Sequence, residues 1–373
     1  MRDLPRALYV HIPWCIRKCP YCDFNSHEQA DPDFAEYGRV LVNDLDADLE
    51  RYGSTPFVSL FFGGGTPSLF PPKHLKPLFQ RLNDLSLISS GTEISLESNP
   101  GTLDLGHLQG YHDLGINRLS IGVQSFNKDV LKALGRIHDG DQAVAMIERA
   151  KAIGFERLNV DLMHGTPDQT PAIAREDLNI VRDLEISHLS WYQLTIEPNT
   201  AFYSRPPKLP NEDTLEATEV IGSTVITSMG LQQYEVSAFA TPGEEAKHNM
   251  NYWEFGDYFG IGAGAHGKIT TERGVVRTQR TRQPSNYLSR ADIHATEHPL
   301  SDGHLGAECL MNGLRLKSGI SYAYFQERTG LDPVEFREAH LMEADRLNLL
   351  TPERFQTSKL GWRHLNHILE MLI

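Results

Sequence analysis

Cysteine is scarce in this chain, with four residues among 373. That excludes a disulfide-built secreted scaffold. Apolar runs are short, and none approaches the roughly 18 residues needed to cross a bilayer. The N-terminus, MRDLPRALYV, has no signal-peptide core and no cleavage site, so a cytoplasmic, non-membrane-spanning protein is expected. Positive charge is also in deficit: 35 Lys and Arg stand against 49 Asp and Glu, a net charge of −14. Such a balance argues against a protein that coats nucleic acid. Low-complexity segments and internal repeats are absent. What remains is the composition of a globular chain, 40% hydrophobic and 23% charged. At about 150 residues per domain it suggests two or three domains.

Strand-like and helix-like segments alternate from the start. Short apolar runs at Leu8–Ile12, Phe57–Phe62, Glu93–Glu97, Arg118–Ile121, Leu158–Met163 and His188–Thr195 read as strands. The second is expected to break at Gly63-Gly64-Gly65. Helical periodicity fills the gaps, over about 33–51, 72–84, 104–114, 127–135, 140–153 and 171–184. Six strand–helix units in series predict an α/β fold, a partial (β/α)6 barrel. After the Pro-rich stretch Ser204–Pro210 the rhythm changes. A helix is expected over 212–229 and a strand over Gln233–Ala238. The stretch 248–268 has no clean period, and the chain turns helical again from about 300. We therefore expect a larger domain over 1–290 and a smaller, mainly helical C-terminal domain over 300–373. The C-terminal order of helix, helix, short strand, helix resembles a winged helix. Its 6 Lys and Arg against 8 Asp and Glu over 319–373 do not suit DNA.

Chemistry in such sheets collects at the carboxyl ends of the strands. Three of the four cysteines lie there, as Cys15-x3-Cys19-x2-Cys22 after the first strand. Three thiolates on one loop can hold three irons of a cubane and leave the fourth open. The alternative is a structural zinc, with His11 or His27 as fourth ligand. Gly63-Gly64-Gly65-Thr66-Pro67 follows the second strand, Glu97 ends the third, Gln124 lies just past the fourth, Asp161 is near the end of the fifth and Thr195 ends the sixth.

The cysteine spacing, with an aromatic before the third Cys, and the GGGTP segment resemble the radical S-adenosylmethionine (SAM) family. Tyr9-Val-His-Ile-Pro13, ESNPG at 97–101, SIGVQSF at 120–126, LGRIH at 134–138, DLMHGTPDQT at 161–170 and QLTIEPNT at 193–200 extend the resemblance to the oxygen-independent coproporphyrinogen III oxidase-like group, and within it to a heme chaperone branch. The resemblance implies a [4Fe-4S] cluster on Cys15, Cys19 and Cys22. It implies that Tyr9, Gly64 and Glu97 hold the cluster-bound SAM. Tyr21, Gly65, Thr66, Gln124, Arg136, Asp161 and Thr195 match positions that hold a second SAM in the oxidase, and His266 falls where the oxidase has an apolar residue near SAM.

Two departures separate the chain from the oxidase. Phe24 stands where the oxidase pattern has a further cysteine, and the segment before the first strand is short. Both argue against coproporphyrinogen decarboxylation. The chaperone branch instead carries H-N-x-x-Y-W, matched by His248-Asn249-Met250-Asn251-Tyr252-Trp253. It implies heme binding there, with His248 the first candidate ligand, and delivery of heme to an acceptor protein such as a membrane-bound respiratory enzyme. A radical enzyme that splits SAM and takes hydrogen from a porphyrinogen is the other reading the family allows. Arg273, Arg277, Arg280 and Arg282 are expected on a solvated hairpin, with heme propionates as an alternative partner. Cys309 reads as a small buried residue, and His164 either reaches the mouth or serves as a hydrogen-bonded structural side chain.

Overall fold

The computed structural model describes residues 4–101, 105–289 and 294–372. Its centre is a twelve-stranded sheet. The strands are β1 (Arg6–Ile12), β2 (Phe57–Gly64), β3 (Glu93–Ser98), β4 (Arg118–Gln124), β5 (Arg157–His164), β6 (His188–Gln193), β7 (Gln232–Gln233), β8 (Ala238–Ala240), β9 (Asp257–Ile261), β10 (His266–Thr271), β11 (Gly274–Arg280) and β12 (His294–Pro299). Their spatial order is β12-β11-β10-β9-β1-β2-β3-β4-β5-β6-β8-β7. Strands β1 to β6 pair in sequence order and in parallel. This is the expected partial (β/α)6 barrel. β9 adds in parallel to the free edge of β1, and β10, β11 and β12 continue antiparallel.

The helices between the strands sit where periodicity placed them, and their ends show why. Phe34–Tyr52 starts at Asp33, whose carboxylate accepts the Glu36 N–H. Gly140–Ile153 carries a capping box of Asp139 and Gln142 and stops at Gly154, which is left-handed at φ 115°. Pro171–Asp183 begins with Pro in the first turn behind the Thr170 cap. The helix expected near 104–114 is described from Leu105 to Asp113, and residue 104 lies outside the described residues. One continuous core joins β1–β6 to these helices through Leu8, Val10, Leu60, Phe62, Leu119 and Val160, all fully buried.

Several expectations are corrected. Strand β2 does not break at Gly63 but runs on through Gly64, because β1 pairs with it as far as Ile12 opposite Gly64. Strand β4 includes Gln124 as its last residue, while β6 ends at Gln193, two residues short of Thr195. The single strand expected over 233–238 is a tight hairpin of β7 and β8 closed by the Tyr234 N–H to Ala238 C=O bond, 3.1 Å. The aperiodic 248–268 stretch divides into the helix Lys247–Trp253, β9 and β10. Its short elements are too brief for either period to show.

The basic hairpin is not solvated throughout. Arg280 is fully buried and forks onto Asp44 at 2.7 Å and Asp48 at 2.6 Å of the helix Phe34–Tyr52. Arg277 pairs with Glu308 and donates to the Tyr258 hydroxyl at 2.8 Å. Arg273 and Arg282 are exposed.

Helices dominate the C-terminal segment, joined by a two-stranded ladder of Ile320–Ser321 with Arg354–Phe355. Its apolar cluster is separate and includes Cys309, Leu310, Phe325, Phe336 and Ile368, with Phe255 and Val275 reaching in from the sheet side. Cys309 is fully buried, as its apolar surroundings suggested.

Candidate functional site at the barrel mouth

The cysteine loop leaves β1 at Pro13 and covers the carboxyl ends of the strands. Its path is fixed by backbone bonds: the Gly65 N–H to Ile12 C=O and the Thr66 N–H to Trp14 C=O, both 2.8 Å. Two glycines make the approach possible. A Cβ on Gly65 would lie 2.5 Å from the Trp14 carbonyl oxygen, and Gly64 has φ +119° with its would-be Cβ 2.7 Å from the His11 ring. Cys15 is buried and Cys19 and Cys22 are half-buried, all three free thiols.

The Cys22 and Cys19 thiols are close enough to raise the proton affinity of Cys15. Burial pushes Cys15 up to about 11, with Cys22 and Cys19 adding to it, and burial raises Cys22 as well. Metal binding at such thiols must therefore release protons. Among the described residues, no three His, Cys, Asp or Glu side chains converge on a point suited to one metal ion. His11 and His27 are engaged elsewhere: the Tyr9 hydroxyl and the Asn25 carbonyl oxygen bracket His11 at 3.0 and 2.9 Å, and His27 meets the Asn25 side chain at 3.3 Å.

Behind the loop the strand ends supply a polar cup. Glu97 accepts the Gly64 N–H at 3.1 Å. Burial, then the nearby Asp161 charge, push the Glu97 carboxyl up to about 8. Tyr9 lies within the Glu97 field. Asp161 is fixed by Ser120 at 3.0 Å and Asn159 at 2.7 Å. Arg136 faces Asp161, Tyr21 and Tyr192, and its Nη1 is 3.5 Å from the Cys19 sulfur. Its Nε is buried without a partner. Gln124 sits at φ 70°, a strained backbone for a non-glycine, and accepts the Tyr192 hydroxyl at 2.7 Å.

The cup thus brings together Tyr9, Gly64, Glu97, Asp161, Arg136, Tyr21 and Gln124. A free guanidinium N–H, two carboxyls and flat aromatic walls suit a zwitterionic ligand with a carboxylate, an ammonium and ribose hydroxyls. Gly65 and Thr66 underpin the loop. Thr195 is exposed, and among the described residues its hydroxyl bonds only to the Gln193 carbonyl oxygen, 3.5 Å away. Tyr192 occupies the β6 position in the cup. The sequence held the signal, since His188, Ser190 and Tyr192 alternate on one face of β6. His266 opens β10 at the far side of the loop, exposed. His164 is buried against Trp191 at 4.3 Å, with its Nδ1 unpartnered, and does not line the cup.

His248, the first candidate heme ligand, lies inside the fold. The helix Lys247–Trp253 closes the barrel floor, and His248 is 1% exposed. Its Nδ1 is 3.1 Å from the Ser59 hydroxyl, its Nε2 is 3.1 Å from the Tyr252 hydroxyl, and its ring stacks on Phe61 at 4.9 Å. Its backbone N–H donates to buried Glu93 at 3.1 Å. Both ring nitrogens are committed, and burial lowers the imidazole to about 3, so it is neutral.

A Radical SAM superfamily model matches residues 9–181, and a HemN C-terminal domain model matches residues 300–364. The chain belongs to the radical SAM superfamily. Within it the chain belongs to the HemW heme chaperone family: it is 42% identical to "Heme chaperone HemW" of Escherichia coli (strain K12) over 99% of this chain and 98% of that one. Identity to the Haemophilus influenzae protein of the same name is also 42%, with the same coverage. A "Radical S-adenosyl methionine domain-containing protein 1, mitochondrial" from Bos taurus is 34% identical over 86% of this chain and 75% of that one. Among solved structures, coproporphyrinogen III oxidase (HemN) from Escherichia coli superposes with a TM-score of 0.83 at 23% identity, covering 99% of this chain and 90% of that one. That likeness fixes the fold.

Proposed function

We propose that this protein is a heme chaperone that holds a [4Fe-4S] cluster on Cys15, Cys19 and Cys22, binds SAM in the cup behind them, and passes heme to an acceptor protein. The single observation that carries the reading is the convergence of the three-thiol loop with Arg136, Glu97 and Asp161 at one mouth, in a chain similar to proteins named heme chaperones over nearly its full length. A [4Fe-4S] cluster held by Cys15, Cys19 and Cys22 would supply one electron to the sulfonium of SAM bound in the cup. Arg136 takes the SAM carboxylate. Glu97 and Asp161 accept from its ammonium and ribose, and Tyr9 and Tyr21 flank it. Gly64, Gly65, Thr66 and Gln124 shape the cup, with Thr195 and His266 at its rim.

Residues 1–290 form the cluster, SAM and heme unit, and residues 300–373 form a helical unit docked on it. The acceptor is a heme protein such as a membrane-bound respiratory enzyme, met from the cytoplasm. Among the described residues no helix is long and apolar enough to cross a membrane. The test is anaerobic reconstitution of the full chain, followed by hemin titration and transfer to a heme-free acceptor. A Soret band that moves to the acceptor supports the reading, and failure to bind hemin refutes it. The intact polar cup favours one other reading, a radical oxidoreductase acting on a porphyrinogen. Formation of protoporphyrinogen IX from coproporphyrinogen III would establish it.

A further inference from the structure

The inner faces of β5 and β6 carry polar side chains where a barrel usually packs branched apolar ones. Asn159 and Asp161 alternate on β5, and His188 and Ser190 stand opposite them on β6, in register. Three hydrogen bonds run through this layer from the barrel floor to the cup. The Tyr234 hydroxyl, in the β7–β8 turn, is 2.8 Å from His188 Nε2. His188 Nδ1 is 2.7 Å from the Asn159 side-chain oxygen, and the Asn159 amide donates to Asp161 at 2.7 Å. The direction of each bond is forced. An amide oxygen only accepts, so His188 Nδ1 must donate to it. Burial, then the Arg118 charge, lower the His188 pKa well below its usual value, so the ring is neutral and its Nε2 accepts from Tyr234. The Asn159 oxygen also accepts the Ser190 hydroxyl at 3.1 Å, and its amide also donates to Ser120 at 2.8 Å. Ser120 in turn donates to the other Asp161 oxygen at 3.0 Å. His188 and Asn159 are both buried, and every polar side-chain atom of the two is engaged.

The floor end of this chain lies where the C-terminal segment packs. The Lys317 N–H donates to the Tyr234 carbonyl oxygen at 2.9 Å, and the next residue, Glu235, is buried and pairs with Arg315 at 3.3 Å. A buried polar layer is costly unless all its bonds are made, and a complete one rigidifies what it holds. We propose that His188 and Asn159 are positioning residues: the chain Tyr234–His188–Asn159 holds Asp161 as an oriented carboxylate for the ligand of the cup and ties it to the barrel floor. The proposal rests on the reading of the cup as a SAM site and names what sets one of its contacts. Burial pushes the Asp161 carboxyl up, and its hydrogen bonds, that from Asn159 first, bring it back down. Removing that donor disfavours the charged form, so Asp161 would keep its proton to higher pH. The titratable and charged groups facing Asp161 are Glu97 of β3, Arg136 beyond β4 and Tyr192 of β6. Arg118 of β4 faces His188, and Glu235, Arg118 and Glu93 face Tyr234.

The experiment pairs an infrared titration of the SAM-free full-length chain with equilibrium binding of SAM to the reconstituted chain. Asp161→Asn and Glu97→Gln assign the protonated-carboxyl bands. In Asn159→Leu, Asp161 should keep its proton to a pH about one unit higher or more, and SAM affinity should fall by about tenfold. His188→Gln, whose amide stands near the Nε2 position, should move both readouts in the same direction. His188→Asn keeps a donor near the Nδ1 position and should restore them toward wild type, a rescue that lost packing alone would not give. Tyr234→Phe removes one hydroxyl of a half-buried floor residue and should still weaken SAM binding, by about threefold. The His188 pair and Tyr234→Phe decide the matter if Asn159→Leu does not fold. A wild-type Asp161 titration and wild-type SAM affinity in the folded variants would overturn the proposal. Equal effects of His188→Gln and His188→Asn would overturn the assigned direction of the chain, and wild-type binding in Tyr234→Phe would overturn its link to the floor. A wild-type chain that binds no SAM would overturn the SAM reading, and the infrared titration would then decide by itself whether the chain sets Asp161.

Discussion

The Arg136 guanidinium lies 3.5 Å from the sulfur of Cys19, and so joins the cup of the barrel to the three-cysteine loop. Its field bears on both. Positive charge beside a cluster sulfur favours the more negative, reduced cluster. Arg136→Leu should therefore make the reconstituted cluster harder to reduce, seen as a more negative midpoint potential. SAM affinity should fall by about tenfold or more, because a charge-assisted contact of about 1.5–3 kcal/mol is lost. Equilibrium binding of SAM checks the second effect. Arg136→Lys, which keeps the charge but not the fork, should restore the potential better than the affinity.

Glu97 gives the site a pH dependence. Its carboxyl is pushed up to about 8 by burial and by Asp161, so it carries a proton at pH 7 in the empty cup. A cationic ammonium placed there favours the carboxylate and drives that proton off. Linkage then requires SAM affinity to rise with pH toward about 8 and to level above it. Isothermal titration in buffers of different ionisation heat should detect proton release near pH 7. Glu97→Gln should abolish both the slope and the release.

The Arg280 contacts predict stability. Arg280 is fully buried between Asp44 and Asp48, and its removal strands two carboxylates in the core. Breaking a buried pair from one side costs about 3–5 kcal/mol, so Arg280→Met should lose that much in denaturant unfolding. Burial already holds Asp48 up to about 7. An acid with a raised folded pKa costs stability from its unfolded pKa, about 4, up to the folded value. In the wild type that cost is complete near pH 7. In the variant, with no guanidinium to offset burial, it continues to higher pH, so the deficit should be larger at pH 8 than at pH 5.

His248 should behave as a structural residue. His248→Ala leaves the Ser59 and Tyr252 hydroxyls without their partner and opens space beside Phe61. Lost packing together with unsatisfied polar groups should cost about 2–4 kcal/mol. Thermal unfolding of the apo chain measures it.

Much of this architecture was legible in the residues. The six parallel strands and their helices follow from alternating periods and strong caps at Asp33, Asp139 and Thr170. The cysteine loop, Glu97, Gln124 and Asp161 were recognisable because each stands at or near a strand end, whereas Arg136, beyond the helix Lys128–Ala133, was recognisable only through the family resemblance of LGRIH at 134–138. Thr195 was misplaced because β6 stops at Gln193, and Tyr192 was missed although it alternates with His188 and Ser190. Arg280 and His248 could not be read locally. Their partners, Asp44, Asp48 and Ser59, lie roughly 190 to 240 positions away in sequence, and no periodicity announces pairing at that range. Polar side chains far apart in sequence look solvent-exposed until the fold closes around them.

The most direct measurement takes one anaerobic sample of the reconstituted full-length chain and determines iron, sulfide, hemin binding and turnover together. The account predicts about four irons and four sulfides per chain, lost in Cys19→Ala, a Soret band on adding hemin, and no protoporphyrinogen IX from coproporphyrinogen III. A single zinc without sulfide, or porphyrinogen turnover with no hemin bound, would contradict it.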